Sequence, residues 1–157
     1  MTQKISPFLW LDKGKASEAA KFYTSVFKES KIMSPETFDN TPSGSIEIID
    51  IELFGLKFTL MGAGPEFKFN ESVSFTIDCI DQEEVDYYWN ALIADGGEES
   101  QCGWLKDKFG LFWQVIPQRL NELMSDPDHE KAGRVMQCML TQKKIIISDL
   151  EKAYNGN

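Results

Sequence analysis

The alternation of apolar and polar positions along the chain sets out one series of elements twice. Residues 5–11 read as a short strand, with Ile5, Pro7, Leu9 and Leu11 on one face and Phe8 and Trp10 on the other. Pro7 cannot donate to a ladder, which suits an edge or a strand's first residues. Asp12-Lys13-Gly14 breaks the strand. Ala19, Phe22, Tyr23, Val26 and Phe27 then recur at helical spacing, predicting a helix over 16–27. A weak strand at 30–38, a loop at 39–44 and strands at 46–53 and 57–61 complete the first series.

Residues 62–71 have no regular period and mark a boundary. The second series opens with a strand at 72–79, where Val73, Phe75, Ile77 and Cys79 alternate with Ser74, Thr76 and Asp78. Asp81 is an N-cap and Glu84, three residues on, completes a capping-box pattern. That helix runs to about Ala94, where Asp95-Gly96-Gly97 stops it. Strands fill 98–116, with a hairpin turn at Gly110. Beyond Pro117 the pattern is helical over 119–124, 129–140 and 148–154, the last with Ser148 as N-cap and Glu151 at N3. Val135, Met136, Met139 and Leu140 form an apolar stripe that packs on the domain or covers a subunit partner.

Superimposing the series exposes an internal repeat. Phe8, Trp10 and Asp12 precede Phe22 by the spacing that separates Ser74, Thr76 and Asp78 from Tyr88. Each series carries a Phe-Gly-Leu turn, at Phe54-Gly55-Leu56 and Phe109-Gly110-Leu111, and registering these pairs Thr59 with Gln114. The reading is an α+β protein of two βαβββ modules, 1–61 and 72–117, joined by linker 62–71 and followed by a helical extension over 118–157. Together they are read as one structural domain.

Composition narrows the partners. With 157 residues, 42% hydrophobic, 11 Phe and 4 Trp, the chain can fill a core. A formal net charge of −9 argues against nucleic acid and anionic membrane. The N-terminus has no signal-peptide pattern and no apolar run nears the ~20 residues of a membrane span. Three cysteines without CxxC spacing suggest neither a disulfide framework nor zinc, and the chain reads as cytoplasmic.

Longer stretches carry a family resemblance. Ser6-Pro7-Phe8-Leu9-Trp10, Glu18-Ala19-Ala20-Lys21-Phe22-Tyr23, Gly64-Pro65-Glu66-Phe67-Lys68-Phe69-Asn70 and Gln101-Cys102-Gly103-Trp104-Leu105-Lys106-Asp107 resemble the PhnB-like proteins named 3-demethylubiquinone-9 3-methyltransferase. These are a branch of the vicinal-oxygen-chelate superfamily, with glyoxalase I, extradiol dioxygenases and bleomycin-resistance proteins. The resemblance implies curled mixed sheets around a cavity, commonly in a homodimer. It also implies a divalent-metal site with one ligand from the first and last strand of each module, which falls here at Phe8, Thr59, Ser74 and Gln114. Only Gln114 is a plausible ligand among them, and an amide oxygen alone binds a divalent ion feebly, so no metal and no cofactor are expected. The glycines at 62, 64, 96, 97, 103 and 110 do not form the strand-to-helix loop of a conventional S-adenosylmethionine methyltransferase.

The candidate ligand-binding residues are Phe8, Trp10, Thr59, Phe67, Phe69, Ser74, Gln101, Cys102, Trp104 and Gln114. Gln114 is the one polar residue of an apolar strand, so it points into a polar cavity or ties two strands together, because burying it unpaired costs roughly 1–3 kcal/mol. Phe67 and Phe69 sit where no core alternation demands them, and with Phe8, Trp10, Trp104 and Trp113 they could line a pocket for a flat ligand. Cys102 is a small strand hydrophobe or a reactive thiol beside Lys106, with no histidine to serve as its base. Lys68 and Lys106 are either solvated or meet an anionic group, and His129 fits a solvated helix start. The function expected is binding of a small, partly apolar or aromatic molecule without metal. The alternative is an enzyme of the superfamily: a metal-dependent lyase, isomerase or dioxygenase, or the methyl transfer of the family name.

Overall fold

The computed structural model describes residues 3–157, in two compact units, Met1–Lys68 and Phe69–Asn157. The first contains β1 (Phe8–Leu11), α1 (Ala16–Val26), β2 (Ser30–Thr41), β3 (Gly44–Leu53) and β4 (Leu56–Gly62). Its sheet has the order β1-β4-β3-β2, with β1 parallel to β4 and the other neighbours antiparallel. Pro7 leads into β1 at the sheet edge, as its missing donor requires, and its carbonyl accepts from Thr59 N at 3.0 Å.

The second unit repeats the series as β5 (Ser74–Cys79), α2 (Gln82–Ile93), β6 (Glu98–Glu99), β7 (Trp104–Lys106) and β8 (Phe112–Pro117). The order is β5-β8-β7-β6, again with the first and last strands parallel. Helices α3 (Gln118–Met124), α4 (His129–Thr141) and α5 (Ile147–Asn155) follow. The α+β fold of two βαβββ series with a helical extension is the one the sequence pattern gives.

Each helix buries one sheet face. Ala16, Ala19, Ala20, Tyr23 and Val26 of α1 are buried, as are Leu9, Leu11, Ile49, Ile51, Leu53, Phe58 and Leu60 on the strands. In the second unit Val85, Tyr88, Trp89 and Leu92 of α2 are buried with Ile77, Cys79, Leu105, Trp113 and Val115. Burying each large side chain contributes roughly 1.5–3 kcal/mol. Asp81 caps α2 as expected, its Oδ1 accepting from Glu84 N, while the Glu84 carboxylate reaches back past the cap to accept from Ile80 N, both at 2.9 Å. Among the described residues no helix is long and apolar enough to cross a membrane.

Three expectations are corrected. Residues 39–41 are strand, not loop: β2 runs to Thr41, which pairs with Gly44 around a two-residue turn. Polar residues on an exposed edge strand look like a loop in sequence, and the hairpin ladder decides otherwise. Ser148 is not an N-cap. Helix α5 starts at Ile147, with its leading amides served from elsewhere: Gln142 Oε1 accepts from Ile146 N at 3.0 Å and Gln82 Oε1 from Ile147 N at 2.8 Å. The α4 stripe divides, with Val135 and Met139 packed with Leu120, Leu123, Ile145 and Leu150, while Met136 and Leu140 are exposed.

Candidate functional site

Strand alternation gives β8 two faces. Trp113 and Val115 are buried on the α2 side, and Phe112, Gln114 and Ile116 project from the other. Gln114 lies opposite Trp104 on β7 and level with Thr76 on β5, so Trp104, Gln114 and Thr76 form a row across three strands. Gln114 Nε2 donates to Ser74 Oγ at 2.9 Å, tying β8 to β5. The row is half-buried at Gln114, Ser74 and Trp104 and exposed at Thr76.

The repeat predicted from turn spacing slips by two residues. In the first unit Phe8 is level with Thr59, whereas in the second Ser74 is level with Phe112 and Thr76 with Gln114. A two-residue slip keeps each side chain on its face, so the faces correspond although the positions do not.

Cys102 and Gly103 hold the extension through their backbone. Cys102 N donates to Gln142 O at 2.8 Å and Gly103 N to Lys143 O at 2.7 Å. Both have positive φ, +58° at Cys102 and +82° at Gly103. A Cβ on Gly103 would lie 2.9 Å from Ile116 Cδ1 and Val115 O of β8 and 3.2 Å from Ile145 Cγ1 of the extension, so glycine is what lets the turn fit between them. Gln101 is exposed and its carbonyl accepts from Trp104 N at 3.0 Å.

In the first unit the face away from α1 carries Phe8, Trp10, Thr59 and Asp50, with Phe8 exposed and the others half-buried. Trp10 Nε1 donates to Gly64 O at 2.8 Å, and Phe67 meets the Trp10 ring edge-on with centroids 4.9 Å apart. Phe67, though exposed, is therefore placed by Trp10. Asp50 accepts from Thr59 Oγ1 at 2.6 Å and pairs with Lys57 Nζ at 2.5 Å. Burial pushes the Asp50 carboxyl up, but the hydrogen bonds from Lys57 and Thr59 with the Lys57 charge prevail and hold it below the ordinary range.

Other side chains singled out in the sequence are occupied. Lys68 pairs with Asp12 at 2.7 Å and Lys106 with Glu98 at 2.8 Å. Trp113 belongs to the core and not to a pocket: it is buried and its indole donates to Asp107 Oδ2 at 2.9 Å. His129 opens α4 and is exposed. Phe69 is half-buried at the start of the second unit. The ten candidates thus divide, Phe8, Trp10, Thr59 and Phe67 lying in the first unit and the other six in the second. Thr76 and Asp50 were missed. Thr76 shares the parity of Ser74 and was legible; Asp50 needed the β3–β4 register, which places it level with Thr59.

The family model described as 3-demethylubiquinone-9 3-methyltransferase matches residues 3–116. The chain is a PhnB-like member of the vicinal-oxygen-chelate superfamily. Among solved structures, it is similar to a putative 3-demethylubiquinone-9 3-methyltransferase, the PhnB protein from Bacillus cereus. Identity there is 30% and the TM-score 0.65, over 73% of this chain and 99% of that one. Protein PA1353 from Pseudomonas aeruginosa shares the fold at 17% identity and TM-score 0.61, over 74% and 98%. The fosfomycin resistance protein FosX from Listeria monocytogenes shares it at 16% and 0.55, over 78% and 96%. No curated protein matches in sequence. The PhnB-like family match ends before α3, so the three C-terminal helices lie outside it.

The superfamily implies a divalent metal, and this chain's donors do not fit one. Phe8, Thr59, Ser74 and Gln114 offer a phenyl ring, two hydroxyls and an amide, with Thr59 bonded to Asp50 and Gln114 to Ser74. Structural and catalytic ions of this kind are held by carboxylates, imidazoles or thiolates. Allowing for the two-residue slip substitutes Thr76 for Ser74 and changes nothing. Among the described residues no group of three or more His, Cys, Asp or Glu is placed to hold a metal.

Proposed function

We propose that this PhnB-like protein binds a small, uncharged, partly aromatic molecule on the sheet face bearing Gln114, without a metal. The observation that carries the reading is the row Trp104–Gln114–Thr76, in which one amide is set among neutral hydroxyl and aromatic groups. Such a face offers a ring to stack on and hydrogen bonds to orient a ligand, the usual make-up of a small-molecule site. Its lysine neighbour Lys106 is paired with Glu98, which argues against an anionic ligand. Trp10 with Phe67 supplies an aromatic pair on the first unit. A homodimer and a cytoplasmic location fit the family resemblance and the free cysteines.

Elemental analysis of protein purified without tag or chelator tests the metal-free part. Substoichiometric metal, unchanged in Gln114→Ala, is expected. Near-stoichiometric metal that disappears in Gln114→Ala would sink the reading and restore a metal-dependent superfamily enzyme. A thermal-shift screen with neutral aromatic compounds tests the binding part, and no stabilisation by any of them would count against it.

A further inference from the structure

The strand register lays successive rows across the Gln114 face. Phe112 is level with Ser74 on β5 and Lys106 on β7, and the row of Gln114 comes next. The row after it holds Ile116, level with Asp78. Side chains two residues apart on one strand share a face at a spacing of roughly 6–7 Å. Ile116 is therefore the next side chain along from Gln114, on the face turned away from α2.

The C-terminal extension occupies the Ile116 row. Ile116 packs against the extension's own core of Leu120, Leu123, Val135, Ile145 and Leu150. Gln118 Nε2, at the start of α3, donates to Asp78 Oδ2 at 3.3 Å. Gly103, next to Trp104 in the chain, fits between Ile116 and Ile145. Even so, Ile116 is only half-buried, which leaves part of it open on the face it shares with Gln114. The segment carrying Ile145 is also anchored from α2, on the opposite face of the sheet. Gln82 donates to Ile145 O at 3.1 Å and accepts from Ile147 N at 2.8 Å, and Lys144 pairs with Asp86 at 2.7 Å.

We infer that the extension is one wall of the ligand site, with Ile116 shared between wall and site. This rests on the proposed binding function and gives that site a boundary and a regulatory element outside the family match. A molecule held at Gln114 abuts Ile116, whose other contacts lie in the extension. It can extend toward Phe112 but not past Ile116. Ligand binding then favours the docked extension, and by linkage release of the extension weakens the ligand by the same factor.

Hydrogen exchange read by mass spectrometry tests it, with 2-naphthol, indole and 4-phenylphenol as neutral aromatic probes. Calorimetry first measures the affinity of each probe for the wild type and its loss in Gln114→Leu. At saturation a probe is expected to slow exchange across 142–150 by about fivefold or more, with 85–92 of α2 little changed. Gln82→Ala removes the anchor from α2 without altering the Gln114 face. It should speed exchange across 142–150, and a bound probe should reverse that gain. Circular dichroism melts of both variants confirm that they fold. Binding that Gln114→Leu abolishes, with exchange across 142–150 unmoved by the probe, would overturn the wall and leave the binding function. Binding of none of the three, or binding indifferent to Gln114→Leu, would overturn both.

Discussion

The carboxylate of Asp107, 1% exposed, accepts the indole N–H of Trp113 at 2.9 Å and turns the β7–β8 hairpin with its other oxygen. Asp107 Oδ1 takes Phe109 N at 2.8 Å and Leu111 N at 3.1 Å. The pair thus joins the turn to the core strand carrying Gln114. Asp107→Ala would leave three donors unmatched and is expected to destabilise the protein by roughly 3–5 kcal/mol. Trp113→Phe removes only one of those bonds and should cost less, about 1–3 kcal/mol. Urea denaturation of the two variants ranks them, and a milder effect for Asp107→Ala would show that the carboxylate does not organise the turn.

Gly103 sits between β8 and the extension, its N–H donating to Lys143 O at 2.7 Å. Gly103→Ala combines positive φ with a Cβ 2.9 Å from Val115 O and Ile116 Cδ1 and 3.2 Å from Ile145 Cγ1. We expect a loss of about 2–4 kcal/mol and a local release of α4 and α5. Hydrogen exchange should speed up in those two helices while α1 stays protected. Unchanged exchange there would mean the extension is held by Gln82 and its own core instead.

Asp50 gives the first unit an acid-sensitive element. Its folded pKa is lowered by Lys57 and Thr59 against the opposing effect of burial, so the ionised form stabilises the fold. That contribution is present above the ordinary carboxylate pKa of about 4 and is lost as pH falls from there through the lowered folded value. The stability difference between wild type and Asp50→Asn should therefore be larger at neutral pH than at about pH 3. Thr59→Val should raise the Asp50 pKa in a carbon-detected NMR titration. A pH-independent difference would refute the coupling.

Cys79 is fully buried beneath α2, and burial pushes its thiol up to about 12, with Glu84, Asp78 and Asp81 adding to the rise. The thiolate is the reactive form, so Cys79 is expected to resist a thiol–disulfide reagent at neutral pH until the protein unfolds. Mass spectrometry after alkylation locates the label. Labelling of Cys79 at the rate of a free exposed thiol in native protein would contradict the packing of α2 on β5.

The sequence by itself determined what rests on short-range periodicity and local chemistry. Leu9 and Leu11 alternating with Phe8 and Trp10, the α1 stripe, and Asp81 with Glu84 each act within a few residues, so strand, helix and cap were legible along with the doubled βαβββ order. The lone amide of Gln114 in an apolar strand was legible too, as was its need for a partner.

Tertiary structure alone decided which partner. Strand register depends on ladder pairing between segments about forty residues apart, and a slip of two preserves every in–out alternation, so the sequence pattern cannot distinguish Ser74 from Thr76 as the neighbour level with Gln114. The same non-locality hid the Asp50–Thr59 bond, the use of Cys102 and Gly103 to hold the extension, and the capping of α5 by Gln82 from 65 residues away.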